Sequence, residues 1–182
     1  MEEERKKEIL EKIRKAGNEE YETEWTAEGK IGQQKKKSEM KKGKKSRAKG
    51  AQFELVVRKD LEEKGWIVDK WSNNVDLEVG KIIPAKRKFN PFNKVMTIGT
   101  GFPDFVCFRL IGDGKYNVVG FEVKVNGLLS KEEKDKAVFL LKSKVFNDFF
   151  LVKTGEKKGS IEYVDFKERY KKNLDGGNTP PK

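Results

Sequence analysis

Histidine is absent from the 182 residues, and cysteine occurs once, at Cys107. Without imidazole, no histidine-based nucleophile triad, no histidine zinc site and no nuclease chemistry relying on an imidazole base is available. One thiol excludes an internal disulfide, a four-cysteine zinc site and an iron–sulfur cluster held by four cysteines of this chain. It agrees with a reducing compartment. No run approaches the roughly 18 apolar residues of a membrane span. The opening Met1-Glu2-Glu3-Glu4-Arg5-Lys6-Lys7 lacks the apolar core of a secretory signal. These absences lead to the expectation of an intracellular protein, cytoplasmic or nucleoid-associated, with no membrane partner.

What is abundant is charge. Charged residues make up 39% of the chain and the net charge is +11, against 35% hydrophobic residues that include 12 Phe and 3 Trp. The aromatics argue for a real core, and the charge argues that the core does not use the whole chain. The excess is local. Residues 35–49 (KKKSEMKKGKKSRAK) carry nine Lys/Arg against one Glu. So polar a stretch buries too little to offset its ordering entropy, and is expected to be a flexible arm. Lys41, Lys42, Lys44, Lys45, Arg47 and Lys49 within it are candidates for sequence-independent contact with phosphates, with a solvated tail or localisation signal as the alternative. A second cluster, Lys86, Arg87 and Lys88 with Lys81, is an equal candidate for DNA contact or a solvated loop.

Three zones follow. Residues 1–49 form a charged extension in which 2–15 read as a short helix with Ile9, Leu10 and Ile13 on one side and Gly17 as its stop. Residues 50–170 form the folded domain, and 171–182 a polar, frayed tail. In the domain, 51–64 read as an amphipathic helix with Phe53, Val56, Val57 and Leu61 as its stripe and Gly65 as its end. Residues 66–71 read as a strand, and 72–102 as irregular with room for one strand. Residues 104–111 and 116–125 are strands around Gly112-Asp113-Gly114, a hairpin link. Ser130-Lys131-Glu132-Glu133 is a capping box opening a helix to about Lys144. Residues 148–153 and 160–166 are further strands. The fold class is therefore α/β, a mixed central sheet flanked by helices.

The hairpin carries the chemistry. Glu122 and Lys124 share a strand face by period two. In a hairpin symmetric about Asp113, Asp104 lies opposite Glu122, with Cβ atoms about 4.5–5.5 Å apart. Two carboxylates that close, between Phe105, Val106, Phe121 and Val123, call for a cation. A divalent metal plus a lysine is the economical resolution, and hard oxygens suit Mg²⁺ or Mn²⁺. Lys124 would then orient or help deprotonate an attacking water, or stabilise charge on a phosphorane-like transition state. Glu54 lies on the helix beside Val57 and Leu61, at the edge of the stripe, where a solvated flank is the plainer reading.

Pro103-Asp104, then Glu122-Val123-Lys124, with Glu54 in a preceding helix, resembles the PD-(D/E)xK nuclease superfamily. The order helix-strand-strand-strand-helix-strand is similar to its restriction-endonuclease-like core. The nearest flavour is the archaeal Holliday junction resolvases, on Lys49-Gly50-Ala51-Gln52-Phe53-Glu54 and the helix stop Glu62-Glu63-Lys64-Gly65. The resemblance covers residues 47–153. It implies Asp104, Glu122 and Glu54 as metal ligands with the Val123 carbonyl, Lys124 as the catalytic lysine, and a weaker match at Ser72. It implies a Mg²⁺- or Mn²⁺-dependent endodeoxyribonuclease of DNA recombination or repair, acting on branched DNA as a homodimer. Phe149, Phe150 and Tyr163 are candidate interface aromatics. The alternatives are a repair or replication nuclease acting on flaps or single strands, and a nucleic-acid-binding module that kept the fold without catalysis. Cys107 reads as a small core residue and Trp66 as core, while Trp25 and Trp71 are open.

Overall fold

The structure, a computed structural model, describes residues 1–85, 87–90, 95–98, 101–157 and 159–176, with the backbone alone at 87–90, 95–98 and 176. The chain divides into two compact units, Met1–Ala51 and Gln52–Lys182.

In the first unit, helix α1 (Glu2–Ala16) ends on Gly17 as its sequence predicts. It places acids in its first turn and Arg14 and Lys15 in its last, matching the helix dipole. Ile9, Leu10 and Ile13 are all exposed. Strands β1 (Tyr21–Trp25) and β2 (Ile31–Lys36) form an antiparallel hairpin that the sequence reading lacks. Trp25, left open by sequence, is exposed on it.

Helix α2 spans Lys37–Glu63, so the basic stretch read as a flexible arm is helical here, and the helix begins 14 residues before the predicted start at 51. The sequence reading weighed burial alone and gave no weight to helix propensity. Lys, Arg, Met, Ala and Glu are strong helix formers whether or not they bury anything. Within the second unit, α2 buries Val57 and Leu61 and half-buries Phe53 and Glu54, while Val56, expected in the stripe, is exposed. The buried face runs i, i+4, i+8 from Phe53, and Val56 falls off it.

The second unit is built on a five-stranded mixed sheet. Beyond α2 come β3 (Ile67–Lys70), β4 (Asn73–Asp76), β5 (Lys81–Pro84), β6 (Arg87–Asn90), β7 (Val95–Ile98), β8 (Phe105–Gly112) and β9 (Lys115–Val123). Helix α3 (Lys131–Lys142), β10 (Asp148–Thr154), β11 (Ile161–Asp165), α4 (Phe166–Arg169) and α5 (Lys171–Gly176) follow. The sheet order is β11-β10-β9-β8-β3. β9 and β10 are parallel across α3, and the other neighbours are antiparallel. The stretch read as irregular with room for one strand contains two separate hairpins, β4–β5 and β6–β7. The tail read as frayed from 171 begins with α5.

Period two divides the sheet's side chains between two cores. Phe105, Cys107, Val119, Phe121, Val123 and Val152 pack with Val57 and Leu61 of α2. Val106, Phe149 and Leu151 pack with Ala137, Val138 and Leu140 of α3, along with Phe146 and Phe166. The sheet is thus sandwiched between α2 and α3. Phe149, proposed from sequence as an exposed interface aromatic, is fully buried, and Phe150 and Tyr163 pack against the α2-side core. Cys107 is a core residue, the half-buried Trp66 packs against the α2-side core, and the half-buried Trp71 packs edge-on against Phe146 of the α3-side core. Burial raises the Cys107 thiol pKa to about 12, so it is no nucleophile. Among the described residues no helix is long and apolar enough to cross a membrane.

Candidate active site

The β8–β9 hairpin fixes the site. Its turn takes Gly112, Asp113 and Gly114 through positive φ, which two glycines and an aspartate tolerate. A shift near the turn, where Gly112 faces Lys115, is absorbed before Leu110 faces Tyr116. From there the pairs run without slip to Phe105 opposite Phe121. One step further, Asp104 and Glu122 meet, and their side chains take over where the backbone ladder stops. The Val123 amide donates to Asp104 Oδ2 at 2.9 Å, and the Asp104 amide donates to Glu122 Oε2 at 3.2 Å. Each carboxylate holds the other strand's backbone, so neither is free to swing away.

Lys124 completes the group. Its Nζ lies 2.9 Å from Glu122 Oε1 and 2.7 Å from Glu133 Oε1. Glu133 belongs to the capping box at the start of α3. The Ser130 amide donates to Glu133 Oε2 at 2.7 Å, and the Glu133 amide donates to Ser130 Oγ at 3.2 Å. The sequence shows the box but not that the second oxygen of its glutamate reaches Lys124. That takes the turn of chain between β9 and α3, which returns Glu133 to the end of β9.

These residues line a pocket of about 390 Å³. Glu54 reaches it from α2, Asn74 from β4, and Gly101, Phe102 and Val123 from the sheet end. On the α3 side stand Glu133 and the buried Lys136, whose Nζ pairs with Glu132 at 2.6 Å. Asn74 and Lys136 carry no sequence signal, although Lys136 follows Glu133 by three and so shares its helix face. A wider depression of about 590 Å³ along α1 is lined only by side chains of that helix, among them Glu4, Glu8 and Arg14, and is a surface groove.

The electrostatics are set by burial of like charges. Glu122 is 3% exposed. Burial raises its pKa, the Asp104 charge raises it further, and Lys124 only partly opposes this. Burial also raises Asp104, with Glu54 adding to the effect, against the Val123 amide and the charges of Lys124 and Lys70. Burial works against the charge on Lys124 and on Glu133 too, but their pairing outweighs it. Lys124 is held above the ordinary lysine value, and Glu133 below the usual carboxylate range.

Of the sequence candidates, Asp104, Glu122, Val123 and Lys124 converge. Glu54 lines the same pocket, and its Oε2 is held by Lys70 Nζ at 3.2 Å. Among the described residues no three His, Cys, Asp or Glu side chains gather closely enough to cage a metal. The donor set is instead two carboxylates, and that is what Mg²⁺ uses when waters and substrate phosphates fill its remaining positions. Ser72 is exposed and does not line the pocket; its carbonyl accepts from the Ala85 amide. Lys41, Lys42, Lys44, Lys45, Arg47 and Lys49 are exposed on α2 in the first unit. Lys86 lies outside the described residues, and Arg87 and Lys88 contribute backbone to β6, their side chains lying outside the description. Comparison of the chain with protein-family models, curated proteins and solved structures yields no match.

Proposed function

We propose that the protein is a divalent-metal-dependent DNA endonuclease that hydrolyses phosphodiester bonds at the Asp104–Glu122–Lys124 site. The observation that carries the reading is the interlock of two buried carboxylates, each pinned by the other strand's amide, with a lysine cation on the outer oxygen of one of them. Burying acids against each other is costly and has no structural purpose that a Ser or Asn would not serve better. A cation that arrives with the substrate gives it one. The element order supports the same reading. In the sheet, β3, β8 and β9 pair antiparallel and α3 leads to the parallel β10, an order in keeping with that reading, with the hairpins β4–β5 and β6–β7 inserted between β3 and β8.

In this reading Asp104, Glu122 and the Val123 carbonyl would hold Mg²⁺ or Mn²⁺, with Glu54 at the margin. When bound, the ion polarises a phosphate oxygen and acidifies a water. The chain's own residues do the rest. Glu122 and Glu133 keep Lys124 protonated, so it serves as a donor that orients the attacking water and stabilises charge on the phosphorane-like transition state. Lys136 adds a second cation on the α3 wall where a phosphate would enter. Lys41, Lys42, Lys44, Lys45, Arg47 and Lys49 of α2 supply affinity for the DNA backbone without sequence preference. Branched DNA is the substrate that the resolvase resemblance favours, and its symmetric cleavage requires a two-fold dimer.

One observation favours a non-catalytic nucleic-acid-binding module: Glu54, the third acid, is paired with Lys70. The test is cleavage by purified protein, with Mg²⁺ or Mn²⁺, of linear, flapped and four-way DNA. Metal-dependent cutting that Asp104→Asn, Glu122→Gln and Lys124→Ala each abolish, with DNA affinity retained, is expected. Binding without cleavage of any substrate by the wild type would leave the module.

A further inference from the structure

We propose that Glu133 is a positioning residue that fixes the ammonium of Lys124 over Glu122, and so joins the N-terminus of α3 to the chemistry at the end of β9. The inference rests on the nuclease reading above and adds to it a residue whose sequence role is only that of a helix cap.

A capping box needs one oxygen of its glutamate, the one that accepts from the N-cap amide. Here Glu133 Oε2 does this at 2.7 Å. The other oxygen is spent on Lys124, also at 2.7 Å, a shorter contact than the 2.9 Å between Lys124 and Glu122. Lys124 therefore sits between two carboxylates with unequal anchorage. Its backbone is fixed, because its amide donates to the Val152 carbonyl at 2.8 Å. Its side chain is a long flexible stem, and Glu122 alone would leave it free to pivot about one contact.

Glu133 can hold that stem only if α3 is itself held against β9, and the connecting segment does this. Thr154 Oγ1 donates to the Val125 carbonyl at 2.8 Å, and Leu129 is buried in the α3-side core. Gly127 takes a positive φ, with Lys153 so close that a Cβ would lie 2.6 Å from its Cδ. The connection is thus held by a hydrogen bond to β10 and by a side chain in the core, and it passes close against Lys153. Ser130, Glu133, Lys124, Glu122 and the Asp104 amide form one continuous chain of polar contacts from the helix cap to the paired carboxylates.

The two roles of Glu133 separate in Glu133→Gln. A glutamine completes a capping box through its amide oxygen, but presents Lys124 with no carboxylate. Asp165→Ala serves as the control. It removes the cap of α4, where Asp165 Oδ1 accepts from the Lys167 amide at 2.7 Å, and lowers stability away from the pocket. Three quantities are measured on the full chain: kcat and KM on whichever DNA the wild type cuts, the melting midpoint, and the side-chain ammonium resonance of Lys124 in ¹⁵N-lysine-labelled protein. The resonance is identified by its loss in Lys124→Ala. Glu133→Gln is expected to lower kcat about ten- to a hundredfold, with KM within about twofold, the melting midpoint unchanged and the Lys124 resonance shifted or broadened away. Asp165→Ala is expected to melt earlier with kcat unchanged.

Wild-type kcat and an unmoved resonance in Glu133→Gln would overturn the proposal. So would a loss of kcat that follows melting in both variants alike. A wild type that cuts nothing would sink the nuclease reading instead, and the resonance would then still decide whether Glu133 holds Lys124.

Discussion

Asp104 and Glu122 make the site a weak point in the fold, and the sign of its pH dependence follows. Burial raises both pKa values from ordinary carboxylate values near 4, to about 6 for Asp104, where the Glu54 charge adds to it, and to about 8 for Glu122, where the Asp104 charge adds to it. The folded protein therefore holds more protons than the unfolded chain between those limits, and stability falls as pH rises through that window. Asp104→Asn keeps an oxygen for the Val123 amide and removes one of the repelling charges. It is expected to melt higher than the wild type at pH 8, by about 1–3 kcal/mol, with the gap closing toward pH 4. Thermal melts of both proteins across that range are the check, and a gap that is flat with pH would refute the account. Gly101 is a second residue-scale case. A Cβ there would lie 2.1 Å from the Trp71 carbonyl oxygen and 2.6 Å from that of Asn73, both backbone atoms that cannot rotate aside. Gly101→Ala should cost about 2–4 kcal/mol in denaturant unfolding and pull the pocket wall apart. Gly120→Ala has ring atoms of Phe146 and Phe149 as its nearest neighbours, at 3.0–3.1 Å, and should cost less.

At the scale of elements, what the sequence reveals depends on which force sets each one. The β8–β9 register is legible because a Gly-Asp-Gly turn fixes the centre of the hairpin and alternation fixes which face each side chain takes. Those two facts are enough to bring Asp104 to Glu122. The capping box is legible because its chemistry is local, whereas the contact of Glu133 with Lys124 depends on how a connection packs on the sheet and leaves no trace in spacing. The hairpins β4–β5 and β6–β7 lack strong alternation and escape notice. The first half of α2 escapes for a different reason. It has no apolar stripe, so periodicity is silent while helix propensity is high. Two residues in that half, Gly43 and Gly50, work against it, and an added Cβ at either would meet nothing within 4 Å. Gly43→Ala and Gly50→Ala should each strengthen the helix by about 0.5–1 kcal/mol, read as greater ellipticity at 222 nm on heating. No gain at either position would mean that this stretch is not helical in solution.

For the whole molecule, the division of charge is the fact that function must use. The run of cations from Lys41 to Lys49 of α2 belongs to the first compact unit, and the paired carboxylates belong to the second. On the nuclease reading proposed above, an acidic site repels the phosphates it must cut, and a cationic element that holds the polyanion through contacts independent of sequence would offset this. The two functions should then come apart in a single variant of the full chain. Replacing Lys41, Lys42, Lys44, Lys45, Arg47 and Lys49 with glutamine removes six charges and keeps good helix formers at every position. DNA affinity should fall, and the slope of log affinity against log salt should flatten by about 0.9 for each phosphate that is no longer neutralised. Cleavage at saturating DNA should persist, because Asp104, Glu122, Lys124 and Glu133 are untouched. Salt-titrated binding measured alongside single-turnover cleavage checks both halves. An unchanged slope would mean that the α2 cations are a solvated face. A kcat that fell with the slope would mean that they act in the chemical step and not only in holding the strand.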